Sequence, residues 1–129
     1  MNREQMQART RDFAIRIIGL CLSLGPDDLA RLVRPQLLRA GSGVATNYRA
    51  TCRARSDREF ASRLGVVVEE SDESEFWLDV LQVFKRGSVE TVAALRQEAQ
   101  ELRAITSRSR TTMLENIRKR KKERARLKS

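Results

Sequence analysis

Histidine is absent from the 129 residues of this chain. Its absence removes imidazole acid–base catalysis, histidine-containing nucleophilic triads and most zinc or di-iron sites. Two prolines, six glycines and 5% aromatics are too few for a β protein with its many turns and strand formers. The two cysteines, Cys21 and Cys52, fall at helical positions among apolar or small neighbours. Without a secretory context they read as buried, reduced thiols rather than a disulfide. No apolar run approaches the roughly 20 residues that span a bilayer, and residues 1–11 are polar and mixed in charge, unlike a secretory signal. The expectation is a cytoplasmic protein without membrane association, without a cofactor and without enzymatic activity.

What the chain has instead is charge, at 33% of residues and a net +9. The surplus is not spread evenly. Residues 1–102 hold fifteen Lys or Arg and fifteen Asp or Glu, whereas residues 103–129 hold eleven and two. The body is neutral and the end is basic.

Apolar residues recur at helical spacing in four segments. The first opens on Asn2 with Gln5 three places on, a capping-box arrangement, and carries Met6, Thr10, Phe13, Ile17, Leu20 and Leu24. Ile15, Ile18 and Leu22 widen its apolar surface beyond one stripe, as a helix buried on two sides requires. Gly25-Pro26 closes it. A short connection through Leu29, Leu32 and Val33 then leads to a second helix, with Pro35 in its first turn, running to about residue 55. Ser56 and Glu59 form a second capping box ahead of a third helix that ends at Gly87. Ser88 caps a fourth helix bearing Val89, Val92, Leu95, Ala99, Leu102 and Ile105; the pattern weakens after Ser107. The predicted fold is all-α: four long antiparallel helices in an up-down-up-down bundle over residues 1–117, followed by a basic C-terminal tail over 118–129.

Two of these helices carry a polar patch where a packed core would not place one: Gln36, Arg39, Ser42, Gly43 and Asn47 in the second, Glu70, Glu73 and Trp77 in the third. Residues 29–58 hold seven Arg against one acid, and residues 59–79 hold seven acids against one base. Folding them antiparallel about Ser56-Asp57 sets Arg39 near Glu73 or Glu75, and Ser42-Gly43 near Glu70. Gly41 and Gly43 then read as a close approach of two backbones, because a mid-helix glycine costs about 1 kcal/mol relative to alanine. A structural polar network of Gln36, Arg39, Ser42, Asn47, Glu70, Glu73 and Trp77 is the leading reading, ahead of a ligand or partner surface, a solvated charge run or a catalytic carboxylate pair. Glu70 and Glu73 at i, i+3 are half of a carboxylate metal site, but the Glu-x-x-His half is missing, so no metal is expected.

At these residues the chain resembles the bacterial four-helix bundle proteins first noticed as open reading frames in intervening sequences of large-subunit ribosomal RNA genes. The accessory protein of diversity-generating retroelements is a relative of that family. Residues 36–47, QLLRAGSGVATN, match a pattern close to Q-L-x-R-S-x-x-S-I-x-x-N; Phe60, Leu64, Glu70, Glu73 and Phe76-Trp77-Leu78 match its second motif. Gly43 stands in place of the family's second Ser, Tyr48 in place of its Ile, and Ala50 in place of a Glu. An activity needing that Glu would be missing here; if the Glu only closes the polar network, Arg49 or Tyr48 would compensate. The resemblance implies a left-handed bundle that assembles into a homopentameric ring and associates with nucleic acid. The basic extension after Ile117 is not part of the family pattern.

Clustered cations gain affinity for phosphate by releasing counterions. The candidate nucleic-acid contacts are Arg49, Arg53, Arg55, Arg118, Lys119, Arg120, Lys121, Lys122, Arg124 and Arg126. No aromatic platform for stacking bases is evident, which favours phosphate and shape recognition of structured RNA or DNA. A disordered solubilising end and an anionic membrane surface are the competing readings of the tail. The alternative for the whole chain is a protein-interaction ring serving a polymerase or ribosomal partner, without nucleic acid.

Overall fold

The computed structural model describes residues 1–129 as four helices with no strand: α1 (Arg3–Ser23), α2 (Asp28–Cys52), α3 (Asp57–Val83) and α4 (Val89–Lys128). Consecutive helices are antiparallel neighbours and α4 returns to touch α1, while α1 and α3, like α2 and α4, stand at diagonal corners without close backbone approach. This is the up-down-up-down four-helix bundle that the apolar spacing predicts.

Local sequence sets most of the boundaries. Asn2 and Gln5 form both halves of the capping box at α1. Ser56 caps α3 by accepting from the Glu59 amide at 3.1 Å, but the Glu59 carboxylate reaches back to the amide of Arg55 rather than to that of Ser56. At the end of α3, Lys85 (φ 56°) and Gly87 (φ 78°) take left-handed conformations that turn the chain into α4. A Cβ on Gly87 would also lie 2.8 Å from Leu20 Cδ1.

Two boundaries differ from expectation. α2 begins at Asp28, not at Pro35, because Asp27 caps it by accepting from the amide of Ala30; Pro35 is carried inside the helix on an exposed turn. α4 continues unbroken through the basic segment to Lys128, although no residue after Ile117 is buried. Charged residues with unbranched side chains are good helix formers, so the end of the apolar stripe ends the packing without ending the helix.

The core runs along the bundle axis through Phe13, Ile17, Leu37, Val44, Leu64, Val67, Leu78, Leu81, Leu95 and Leu102. Small residues bring the helices together. A Cβ built on Gly41 would lie 2.6 Å from Cγ2 of the fully buried Ile17, so α1 and α2 pack with no room for a methyl group. Gly41→Ala should therefore lower stability by about 1–3 kcal/mol through overpacking. In an Ile17→Ala background the same substitution should cost less, a non-additivity that denaturant melts of the four variants would read.

Candidate nucleic-acid interface

The up-down topology gathers the start of α1, the end of α2, the start of α3 and the second half of α4 at one end of the bundle. Arg53 and Arg55, in the α2–α3 connection, line a shallow depression with Ala50, Glu59 and Arg63. On the adjoining α3–α4 face, a groove of about 720 Å³ has an apolar floor that includes Val66, Leu114 and Ile117, and basic side chains from Arg58, Arg110, Arg118 and Lys121. Ser56, Asp57, Arg58, Arg120, Lys121 and Arg124 line a third depression beside it. Arg120 pairs with Asp57 at 2.5 Å, which holds the α4 extension against the start of α3. The second and third depressions share Arg58, Ile117 and Lys121, and the first lies at the same α2–α3 turn, so all three gather at one end of the bundle.

Among the sequence candidates, Arg53, Arg55, Arg118, Arg120, Lys121 and Arg124 all lie on this surface. Lys119, Lys122 and Arg126 are exposed on the same helix. Arg49 is at the same end but faces another groove, between α1 and α2, with Glu4, Gln7, Arg11, Ala45 and Thr46. Arg58, Arg63 and Arg110 were not among the candidates. Arg110 lies over Gly65, 3.1 Å from where its Cβ would be, and its Nε donates to the carbonyl of Ala61 at 3.2 Å. A signal for it exists: Arg110, Leu114, Ile117 and Lys121 share one helical face at spacings of four, three and four.

The polar patch is only partly brought together. Arg39 donates to Glu73 at 2.7 Å and to Gln36 at 3.2 Å, but the Arg39 side chain is 60% exposed and that of Glu73 35%. The pairing therefore has the register expected, placed at the rim of the α2–α3 seam rather than within it; exposed pairs of this kind contribute about 0.2–1 kcal/mol, not the several of a buried pair. Ser42 turns back to the carbonyl of Leu38 within its own helix. Asn47 contributes a backbone carbonyl to Thr51 rather than its side-chain amide. Trp77 packs against the core and meets Phe76 edge-on, with ring centroids 4.9 Å apart.

The acidic face of α3 is answered mainly from the other side. Glu75 accepts from Arg103 at 2.5 Å and from Gln100 at 2.7 Å, Asp72 from Arg103 at 2.7 Å, and Asp79 pairs with Arg96 at 3.2 Å. The hydrogen bond from Gln100 and those from Arg103 hold the Glu75 carboxyl below the usual range. At the opposite end of the bundle, Arg86 ties Asp27 across the loops and, with the Ala30 amide, pulls its pKa down to about 2.

No group of three or more Asp, Glu or Cys is placed to hold a metal ion. Both cysteines are free, Cys21 buried and Cys52 half-buried, and burial pushes the Cys21 thiol up to about 11. No helix is long and apolar enough to cross a membrane.

No protein-family model matches the chain, and no curated protein matches it. Among solved structures it is similar to a protein of unknown function from the S23 ribosomal protein family of Bacteroides thetaiotaomicron. The two share 22% identity over 86% of this chain and 99% of that one, with a TM-score of 0.78. The likeness is one of fold.

Glu70 is the anomaly of the patch. It packs on Gly43, where a Cβ would lie 3.0 Å from its Cδ, and its buried Oε2 has no hydrogen-bond partner. Burial raises its pKa first, repulsion from Glu73 adds to this, and Arg39 opposes it. A raised native pKa means that the folded state holds the proton more tightly than the unfolded chain does. The ionised carboxylate therefore costs stability above that pKa, and the cost disappears as pH falls through it. Glu70→Gln should raise the melting temperature by about 1–3 °C at pH 7, with the gain shrinking toward pH 4; a gain independent of pH would contradict the assignment.

Proposed function

We propose that this chain is a non-enzymatic scaffold of the rRNA intervening-sequence family that assembles into a ring and binds nucleic acid through the basic end of its bundle. One observation carries the binding half. Cations distant in sequence, Arg53, Arg55, Arg58 and Arg63 from the α2–α3 corner and Arg110, Arg118, Arg120, Lys121 and Arg124 from α4, gather at one end of the bundle, where they outnumber Asp57, Glu59 and Glu69 and the first two of these acids are already paired. Such a surface attracts a polyanion without reading sequence, since phosphate contacts supply affinity and base contacts supply specificity. The structural neighbour comes from a ribosomal protein family, in keeping with a nucleic-acid partner.

The assembly half rests on two unpartnered apolar stripes. Ile15, Ile18 and Leu22 lie exposed along α1, and Phe76 and Val83, with Val80 between them, lie along α3. Because α1 and α3 occupy diagonal corners, the stripes look in roughly opposite directions. A two-fold dimer through either one leaves the other in water. Pairing α1 of one copy with α3 of the next covers both, and a heterologous contact of this kind closes into a ring if the rotation permits. The family resemblance implies five copies.

Residues 118–129 bury no side chain, so their removal should leave the bundle folded. Binding of a structured RNA across a salt series should show a steep loss of affinity with ionic strength. Without residues 118–129 the log–log slope should flatten by about 3 to 5. Equal binding by both forms would remove the α4 extension from the interface, and no binding by either would leave a protein-interaction ring as the function. Light scattering should give a mass several times that of one chain, reduced by Leu22→Asp; a monomeric parent would refute the ring.

A further inference from the structure

We infer that the α4 extension is a rigid helical arm that inserts into the major groove of duplex DNA. The inference rests on the nucleic-acid reading above and goes beyond it by naming the form of nucleic acid and the mode of contact.

The arm has a defined origin and reach. Arg120 is fixed to Asp57, the first residue of α3, so α4 runs eight further residues, 121–128, past the neighbouring helix. At a rise of about 1.5 Å per residue that is roughly 12 Å of helix beyond this ion pair. Its charge covers more than one side. At about 100° per residue, Lys121, Lys122, Arg124, Arg126 and Lys128 spread over roughly 200° of the helix, and Glu123 and Leu127 take the remainder. An arm that lay across a phosphate surface would need cations on one narrow face only. Cations on both flanks, with an acid and a leucine at the back, suit a site with phosphates on both sides, which is what a groove provides.

Size and self-repulsion agree. The major groove of B-form DNA, about 12 Å wide, admits an α-helix, whereas the major groove of A-form RNA is deep and narrow. Arg118 and Lys122, Arg120 and Arg124, Lys122 and Arg126, and Arg124 and Lys128 are like-charged pairs at i, i+4, and Glu123 is the arm's single acid, paired with Arg126 at 3.1 Å. Flanking phosphates would relieve this repulsion. At the root of the arm, Arg58 and Arg110 sit beside Arg118 and Lys121, placed to hold one backbone strand as the helix enters.

The test uses the full chain and the substitution Ala125→Pro, which keeps every charge and breaks the arm's helix, because proline removes a backbone donor and clashes with the preceding turn. Residue 125 is exposed, so the melting temperature of the bundle should not change. Fluorescence anisotropy with a labelled 20-base-pair DNA duplex should show binding weakened about tenfold or more by Ala125→Pro. The RNA duplex of the same sequence should bind the parent several-fold more weakly than DNA, and a major-groove dye, not a minor-groove ligand, should displace the protein. Equal affinity of parent and variant for DNA would overturn the arm while leaving the basic surface as a nucleic-acid site. RNA bound as tightly as DNA, or displacement by the minor-groove ligand, would overturn the groove assignment. Failure of the parent to bind DNA or RNA at low salt would overturn both this inference and the function it rests on.

Discussion

The acids of α3 draw cations from both neighbouring helices, and the distribution of charge over the molecule follows from that pairing. Glu75 is the centre of it. It is reached by Gln100 and Arg103 from α4, with Asp72 and Asp79 on either side taking Arg103 and Arg96, while Glu73 turns the other way to Arg39 of α2. Arginines on two neighbours are thus engaged by one acidic helix. The acids run out near the start of α3, where Asp57 and Glu59 take Arg120 and Arg63. No further cation on the α2–α3 corner or on the last turns of α4 has an acidic partner on another helix, and the basic surface is that remainder.

Close packing and polar chemistry meet at the same seam. Gly41 admits Ile17, and Gly43 admits the side chain of Glu70, so two small residues about 200° apart around the helix bring α2 against α1 and α3. The approach at Gly43 encloses a carboxylate oxygen without a donor. A partly buried, unsatisfied carboxylate opposes folding, and the surrounding apolar packing outweighs it. Gly43 has no side chain that could donate to that oxygen, so the close approach leaves it alone.

Helical content and helix order were legible from residues alone, since caps such as Asn2, Ser56 and Ser88 and apolar spacing of three and four are local signals. The antiparallel register of α2 and α3 was legible too: counting outward from Ser56-Asp57 puts Arg39 beside Glu73 and Gly43 beside Glu70, as found. The depth of the patch was not legible. Whether Arg39 lies within the seam or on its rim depends on the rotation of α2 about its axis, which the packing of Ile17 and Leu37 sets. Ser42 and Asn47 looked like members of a network because their type and spacing were right. Their partners are backbone atoms of their own helix, a local competition that sequence spacing cannot weigh.

By itself, then, the sequence decided the number of helices, their direction, the neutrality of the body and the basicity of the end, because each depends on residues near one another in the chain. Tertiary structure decided where the charge is placed. Arg110 joins Arg58, and Arg53 joins Arg63 and the reach of Arg120, only because antiparallel packing returns α4 to the corner where α3 begins. A surface made of side chains fifty residues apart is a property of the fold. Its parts can be listed from the sequence, but their convergence follows only from the lengths of the helices that carry them.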